Sequence, residues 1–298
     1  MRMRLMLLGG GSTLGQAILR QGAQKDIEFL APRPPSQGWD QPSLDELFNN
    51  VEPDAVINMA YYSDWFQACP PDESLFPRQR AAMERLAELC HQRHAILLQP
   101  SSYRVFDGLR SVAYSERNAV HPLTPRGQQL AAVEELIKDS GCRHLVVRFG
   151  WLIDAGVGAN LDRFLQSSLA EPELAMAEDW RGNPTTVADA ARVLLAILQQ
   201  LDCGVRSWGI YHYAGLELTN AFDLAQVLLT EAKSLHGLKV ASLRPVSFHT
   251  TPQAGQEPQN GILACKRLLH TFGIKQHSWR AELPGMLKDY YADFLKNQ

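Results

Sequence analysis

Two short stretches of this sequence combine residue types and spacing that indicate a ligand site. GGGSTLG, at residues 9–15, joins three consecutive glycines to two hydroxyls and directly follows an apolar run. SSYRVFDG, at residues 101–108, places two hydroxyls, an aromatic residue, a carboxylate and a glycine after another apolar run. Glycines let a backbone approach phosphates closely, while hydroxyls and carboxylates orient polar substrates. Both stretches are therefore candidates for a binding site beyond the ends of buried strands.

Hydrophobic patterning predicts the elements that must position these stretches. Short apolar runs, typical of strands buried on both faces, occur at residues 5–8, 27–30, 55–57, 95–98 and 145–147. Apolar residues at helical spacing separate most of these runs, at residues 13–21, 43–49, 78–93 and 125–139. This alternation predicts right-handed βαβ units, and so a Rossmann-type doubly wound parallel sheet of the α/β class over residues 1–150.

Beyond residue 151 the alternation is less regular. The pattern predicts a helix at residues 185–201, a strand at 210–213, a helix at 219–233 and two further helical segments. We therefore expect residues 151–298 to form mainly a smaller α/β substrate-binding lobe, with some chain crossing back to the sheet.

Composition disfavours several classes of function. With 29 Lys and Arg against 32 Asp and Glu, the sequence has no basic stripe suited to nucleic acid. Its apolar runs, such as residues 194–198, are far shorter than the roughly 20 residues that span a membrane. The five cysteines lie far apart, and the nine histidines show no metal-ligand spacing. We expect a cytoplasmic protein with reduced thiols and no metal site.

The glycine-rich stretch lies between the first predicted strand and the first predicted helix. A dinucleotide's diphosphate binds at this place in doubly wound folds, because the helix N-terminus supplies free N–H groups. An ordinary tight turn remains the alternative, since Ser12 stands where the motif has its middle glycine. The residues predicted to bind the cofactor here are Gly9, Gly11, Ser12, Thr13, Leu14 and Gly15.

Arg33 bears on the choice of cofactor. No acidic residue ends the second predicted strand, where a carboxylate would bind the ribose 2'-hydroxyl of NAD, whereas Arg33 follows that strand and could face a 2'-phosphate. This favours NADP(H) over NAD(H). The alternative is a solvated loop cation, as most arginines are.

The whole chain resembles one known family. The resemblance rests on GGGSTLG, PDAVINMAYYSD at 53–64, SSYRVFDG, AYSE at 113–116, RFGW at 148–151, DWRGNPTT at 179–186 and PQNGILACKRLLHTFGI at 258–274. In order and spacing these stretches resemble the dTDP-4-dehydrorhamnose reductases, which belong to the extended short-chain dehydrogenases. The resemblance implies an NADPH-dependent reductase of a nucleotide-linked 4-keto sugar.

In that family a tyrosine donates a proton, and a lysine four residues later binds the ribose and lowers the tyrosine pKa. The resemblance matches Ser102 to the hydroxyl that orients the substrate carbonyl. It places Arg126 at the tyrosine position and Leu130 at the lysine position. Arginine stays protonated and cannot act as a general acid, and leucine offers no hydrogen-bond donor to the ribose, so the proton relay is incomplete. Tyr103 and Tyr114 are the nearby tyrosines weighed as substitutes.

Other matched positions are implied to bind ligands. Those implied to line the cofactor, besides the glycine-rich stretch and Arg33, are Asn58, Ala60 and Tyr62. Those implied to meet the sugar nucleotide are Val105, Phe106, Asp107, Trp151, Asn160 and Arg181. The aromatic residues could instead simply fill the core. Glu257 departs from the family's arginine, and a carboxylate there would repel a diphosphate.

Three hypotheses follow. In the first, the chain is a non-catalytic or regulatory member that binds NADP(H), similar in kind to the regulatory β subunit of methionine adenosyltransferase. In the second, it is an active reductase in which a water held by Ser102 and Arg126 replaces the proton donor. In the third, it binds a partner and its cofactor turn is a relic. The expected partners are a nucleotide sugar or a protein, and a homodimer is possible.

Overall fold

A computed structural model describes residues 2–61, 72–156 and 160–296 of the chain. Its strands are β1 Met3–Leu8, β2 Ile27–Leu30, β3 Ala55–Asn58, β4 Ile96–Ser102, β5 His144–Phe149, β6 Trp151–Ile153, β7 Glu173–Ala177, β8 Arg181–Gly182, β9 Pro184–Thr186, β10 Gly209–Tyr213, β11 Thr219–Asn220 and β12 Ser242–Val246. Its α-helices are α1 Thr13–Gly22, α2 Gln41–Asn50, α3 Phe76–Gln92, α4 Pro125–Asp139, α5 Asn160–Ala170, α6 Val187–Asp202, α7 Ala221–Leu235, α8 Lys266–Phe272 and α9 Trp279–Lys296.

The main sheet has six strands in the order β10-β5-β4-β3-β1-β2. Every pair in it is parallel. The chain winds outwards in both directions from the β1/β3 boundary, where the carboxyl ends of the strands leave a crevice. The predicted doubly wound α/β fold is confirmed.

Alternating residues of β1 show how the sheet is covered. Leu5 and Leu7 pack in one core cluster with α1 and α6, whereas Met6 and Leu8 pack in the other with α2, α3 and α4. Successive side chains of a strand point to opposite faces, so a continuous apolar run needs helices on both faces.

The second half of the chain contributes to this sheet. The strand predicted at residues 210–213 lies within β10, which pairs with β5, and α6 packs against α1. The chain therefore crosses back to the sheet after residue 151. A smaller lobe contains the two-stranded pairs β6/β9, β7/β12 and β8/β11, with α9 packed on α7. Because β6 follows the carboxyl end of β5 after one residue, this lobe begins beside the crevice.

Helix α4 is fixed closely to the end of β4. Thr124 caps the helix by accepting a hydrogen bond from the Gly127 N–H at 3.1 Å, and Pro125 occupies its first turn. A Cβ at Gly127 would lie 2.3 Å from the Arg104 carbonyl oxygen, so no side chain fits there. This contact places Arg126 beside Arg104.

Within the described ranges, no helix is both long enough and apolar enough to cross a membrane.

Candidate functional site

The glycine-rich turn is held open towards the crevice by close backbone packing. Gly9 has φ +78°, and a Cβ on it would lie 2.0 Å from the Met59 carbonyl oxygen. A Cβ on Gly15 would lie 2.5 Å from the Gly9 carbonyl oxygen. By contrast, a Cβ on Gly11 would meet no heavy atom of the described residues within 4 Å. The fold thus requires glycine at 9 and 15, and it leaves space over Gly11.

Ser12 fixes the conformation of this turn. Its Oγ donates to the Gly9 carbonyl at 2.8 Å and accepts from the Gly15 N–H at 3.1 Å, which caps α1. Thr13 and Leu14 follow in the first helical turn, where N–H groups have no preceding carbonyl to bond. The side chain of Leu14 is buried, so only its N–H can serve a ligand. A diphosphate fits this turn, because space and free donors coincide with the positive end of the helix dipole.

The ends of β2 and β3 border the same crevice. Asn58 is buried, and its amide donates to Gln99 Oε1 at 2.7 Å and accepts from the Ala60 N–H at 3.1 Å. Asn58 therefore shapes the chain that leaves β3 and places Ala60 there. Arg33 is exposed in the loop after β2, as both of its interpretations require. Tyr62 lies outside the described residues.

Ser101 and Ser102 are the last two residues of β4, and both are buried. Ser101 Oγ donates to Glu134 Oε1 at 2.5 Å, whereas Ser102 Oγ accepts from the Arg104 N–H at 3.4 Å. The chain then enters a 3₁₀ turn at Tyr103–Val105, so the extended backbone of β4 ends before Tyr103.

A buried carboxylate is the centre of the site beside Ser102. Arg104 donates to Glu257 through Nε and Nη2, at 2.7 to 2.9 Å. The Tyr103 hydroxyl donates to Glu257 Oε2 at 2.8 Å, and Arg126 Nη1 lies 4.0 Å from Oε1. We call Tyr103, Arg104 and Arg126 the Glu257 cage. Glu257 and Arg126 were identified from the sequence as separate departures from the family, whereas Arg104 was missed although it lies within the candidate stretch SSYRVFDG.

Neither substitute tyrosine is a ready proton donor. Burial, and then the charge of Glu257, raise the pKa of Tyr103 well above its usual value. Burial and the hydrogen bond to Asp107 raise the pKa of Tyr114. The Tyr114 hydroxyl donates to Asp107 Oδ1 at 2.5 Å. Burial opposes ionisation of Asp107, but hydrogen bonds from the Tyr114 hydroxyl and the Leu109 N–H outweigh it and lower the Asp107 pKa.

The apolar residues implied to meet a sugar nucleotide are packed in the protein. Val105 and Phe106 are fully buried, and the Phe106 ring stacks on Tyr114 with centroids 4.3 Å apart. Trp151 is 8% exposed and packs on Trp180 at 5.0 Å. The Trp151 indole N–H is buried, and the described residues offer it no hydrogen-bond acceptor. Packing accounts for these positions, and their contact with a ligand stays a prediction.

The remaining implied residues occupy different settings. Arg181 is exposed, and its backbone N–H and carbonyl bond Gln259 and Gly261. Asn160 begins α5, but its side chain lies outside the described part of the structure. Leu130 is 1% exposed and belongs to the core cluster under α4. No polar group is offered at position 130.

Below the cage lies a charged network. Arg148 forms a buried ion pair with Glu134, and its Nη1 lies 3.4 Å from Nε2 of His212. Arginine can only donate, so Nε2 accepts and Nδ1 donates to the Tyr114 carbonyl at 3.2 Å. Burial, and then the charge of Arg148, lower the pKa of His212 to about 3. The ring is therefore neutral at ordinary pH.

Within the described residues, one group of possible metal ligands lies elsewhere, at Asp189, His277 and Glu282. Asp189 is already engaged by Arg192, whose Nη2 lies 2.7 Å from Oδ1, and by the Tyr213 hydroxyl at 2.5 Å. Because a guanidinium occupies the carboxylate, this group offers no basis for a cation site.

A family model covers almost the whole chain, and several known proteins are similar to it over most of their length. The family model described as RmlD substrate binding domain matches residues 3–292. A dTDP-4-dehydrorhamnose reductase from Aggregatibacter actinomycetemcomitans is 26% identical over 286 residues, covering 94% of this chain and 97% of that protein. A crystal structure of a dTDP-4-dehydrorhamnose reductase from Clostridium acetobutylicum superposes with a TM-score of 0.79 at 22% identity, covering 99% and 100% of the two chains. The Bacillus anthracis enzyme in complex with NADP gives 0.80 at 20% identity, covering 97% and 100%.

Proposed function

The chain belongs to the dTDP-4-dehydrorhamnose reductase family, and on that premise we propose that it binds NADP(H) without carrying out the reductase reaction. Its role is then regulatory, exercised through a bound nucleotide sugar or a protein partner, and a homodimer is one form that such a role could take.

The glycine-rich turn supports the cofactor part of this proposal. Gly9 and Gly15 hold the turn, Ser12 caps α1, and the space over Gly11 meets the first-turn N–H groups of the helix. The nicotinamide of such a cofactor supplies hydride in the family's chemistry. Arg33, exposed after β2, is available to a 2'-phosphate and favours NADP(H). The Bacillus anthracis neighbour was solved with NADP.

The observation that carries the non-catalytic part is the pairing of Arg126 with Glu257. At the position aligned with the proton-donating tyrosine stands a buried guanidinium, which keeps its proton at any ordinary pH. Its neighbour Glu257 is bound to the Tyr103 hydroxyl, and that phenol has a raised pKa. The site thus offers fixed positive charge where the reaction needs a proton to move.

An active reductase is the second candidate, and Ser102 favours it. Among the described residues the Ser102 hydroxyl makes one long contact, in which it accepts from the Arg104 N–H at 3.4 Å, so its proton is not engaged by them and can serve a substrate carbonyl or a water beside Arg126. A relic turn in a partner-binding protein is the third candidate.

Two measurements separate these candidates. Calorimetric titration of the purified protein with NADPH and NADH tests the cofactor, and we expect NADPH to bind more tightly. NADPH absorbance is then followed with a dTDP-4-keto sugar present, and we expect no consumption. If neither cofactor binds, the partner-binding protein with a relic turn is the remaining candidate. Steady consumption of NADPH would instead establish an active reductase.

A further inference from the structure

The Glu257 carboxylate is bound by surrounding side chains in the way that a protein binds an anionic ligand. Arg104 presents the planar fork of its guanidinium to the Glu257 carboxylate, with Nε at 2.7 Å and Nη2 at 2.7 Å from its two oxygens. Tyr103 adds a neutral donor at 2.8 Å, and Arg126 adds a second positive charge. The side chains of Arg104, Arg126 and Glu257 are only 13%, 8% and 9% exposed. A two-point guanidinium contact of this kind is a strong and specific way to bind an anionic group.

The cage belongs to rigid elements, whereas its occupant belongs to a loop. Tyr103 and Arg104 follow β4 directly, and Arg126 lies in the first turn of α4, which packs on the Arg104 carbonyl through Gly127. Glu257 lies between the 3₁₀ turn Phe248–Thr250 and α8. The cage therefore does not depend on the loop for its position.

The loop is anchored more firmly after Glu257 than before it. After it, Pro258 packs against Gly108, where a Cβ would lie 2.6 Å away, and its carbonyl accepts from the Trp180 indole N–H at 3.1 Å. Before it, residues 252, 253, 255 and 256 are exposed, and their backbone bonds close short turns within the loop. Of residues 252–256, Ala254 is half-buried and packs against the core cluster, so turning this half about Pro258 takes the Glu257 carboxylate into water at the cost of that contact.

We propose that the Glu257 cage is a binding pocket for the anionic group of a ligand, a phosphate or a carboxylate, and that Glu257 is its internal occupant, which the ligand displaces. With Glu257 withdrawn, the guanidinium groups of Arg104 and Arg126 and the Tyr103 phenol present positive charge and hydrogen-bond donors to an anion at the place that the carboxylate leaves. The proposal rests on the proposed function only in treating this edge of the sheet as the ligand side.

Displacement makes a prediction for the wild-type protein. Inorganic pyrophosphate and succinate serve as the two probes, one for phosphate and one for carboxylate. We expect one of them, at saturation, to speed hydrogen exchange of the backbone amides of residues 251–257, because that segment leaves its place. Exchange in β4 and α4 should not rise. Unchanged exchange in the loop with both probes bound would overturn displacement.

Substitution tests the competition directly. Glu257→Gln removes the internal anion and keeps its size, so we expect the same probe to bind about tenfold or more tightly than in the wild type. Adding Arg104→Gln should abolish the gain. Glu173→Gln, which loses an exposed pair with Arg244, is the matched control for loss of one negative charge and should leave affinity unchanged. Equal affinity in wild type and Glu257→Gln for both probes would overturn the proposal.

NADPH titration of the same variants keeps the two proposals apart. The glycine-rich turn does not involve Glu257, so absence of NADPH binding would defeat the proposed function while the probe results stand. The identity of the probe that gains affinity tells whether the ligand group is a phosphate or a carboxylate.

Discussion

Arg148 in β5 and Glu134 in α4 form a two-point ion pair with both side chains almost wholly buried. Nε of Arg148 lies 2.9 Å from Oε1 of Glu134, and Nη2 lies 2.5 Å from Oε2. Ser101 donates to the same carboxylate. This pair joins α4, which carries Arg126, to β5, the strand beside the one that ends in Ser102, so it supports the site from the core.

Breaking this pair should be costly. We expect Glu134→Gln to lower the free energy of unfolding by about 3 to 5 kcal/mol, because Arg148 is left buried without a compensating charge. Glu134→Leu with Arg148→Met should recover much of that loss. Urea denaturation measures all of them, with Glu173→Gln as an exposed-pair control expected to cost less than about 1 kcal/mol. A loss in Glu134→Gln no larger than in the control would contradict the prediction.

His212 should make stability fall in acid. Its folded pKa is about 3, below the ordinary 6.5, so between these values the unfolded chain takes up a proton that the folded protein does not. Stability is full above pH 6.5 and declines as pH falls towards 3, by at most about 1.4 kcal/mol per pH unit for this one group. His212→Asn should flatten the pH dependence of unfolding by that amount. Parallel curves for the two proteins would show that His212 does not contribute.

Gly11→Asp should abolish dinucleotide binding while the protein stays folded. The substitution places a negative side chain in the space that a diphosphate needs, and nothing in the described structure clashes with it. Gly237→Asp is the matched control, because a Cβ there also meets no heavy atom within 4 Å. Calorimetry with NADPH and a thermal melt measure both effects. Undiminished affinity would remove the turn from the cofactor site.

Arg33→Ala should weaken NADPH far more than NADH. The loss expected for a charge-assisted hydrogen bond to a 2'-phosphate is about 1 to 3 kcal/mol in binding free energy. Arg20→Ala, at another exposed arginine of the same lobe, should change neither affinity. Equal losses for the two cofactors would mean that Arg33 does not recognise the 2'-phosphate.

Restoring the proton relay tests the proposal that the chain does not catalyse the reductase reaction. We expect Arg126→Tyr with Leu130→Lys to oxidise NADPH with a dTDP-4-keto sugar, since a missing general acid alone accounts for about 100- to 10,000-fold in rate. Each single change should do much less, because such groups act as a unit. Arg126→Phe with Leu130→Lys is the matched control without a hydroxyl.

Two features of the structure affect that experiment. Leu130 is buried, so a lysine there costs stability, and unfolding should be measured alongside activity. Glu257 would keep Arg104 and Tyr103 as partners, so each variant is also made with Glu257→Gln. Turnover by the wild type, or equal turnover in the phenylalanine control, would contradict the non-catalytic interpretation.

The periodic parts of the fold were predictable from the sequence. The helix predicted at 125–139 has the observed bounds of α4, and each strand predicted in the first half falls on an observed strand, except that β4 starts at Ile96 and continues to Ser102. Buried strands and amphipathic helices can be recognised in a sequence because each has a regular spacing of apolar residues. The short pairs β6/β9 and β8/β11 have two or three residues per strand, too few for any period to show.

The site was predictable only where chemistry follows a motif. The glycine-rich turn could be placed, because position between strand and helix defines it. The Glu257 cage could not, since Arg104 and Glu257 are distant in sequence and meet only through the path of the loop after β12. Long-range pairing of this kind leaves no local pattern.

The packing of the glycine-rich turn distinguishes glycines that are needed for folding from a glycine that is needed only for ligand binding. A side chain at position 9 would clash with the Met59 carbonyl, and one at position 15 would clash with the Gly9 carbonyl. A lineage that had ceased to bind any nucleotide would therefore still retain both glycines in order to fold. A Cβ on Gly11 would meet no heavy atom of the described residues within 4 Å, so in such a lineage this position could accept other residues. Retention of glycine at position 11 therefore indicates that nucleotide binding has been maintained. Retention of Gly9 and Gly15 does not.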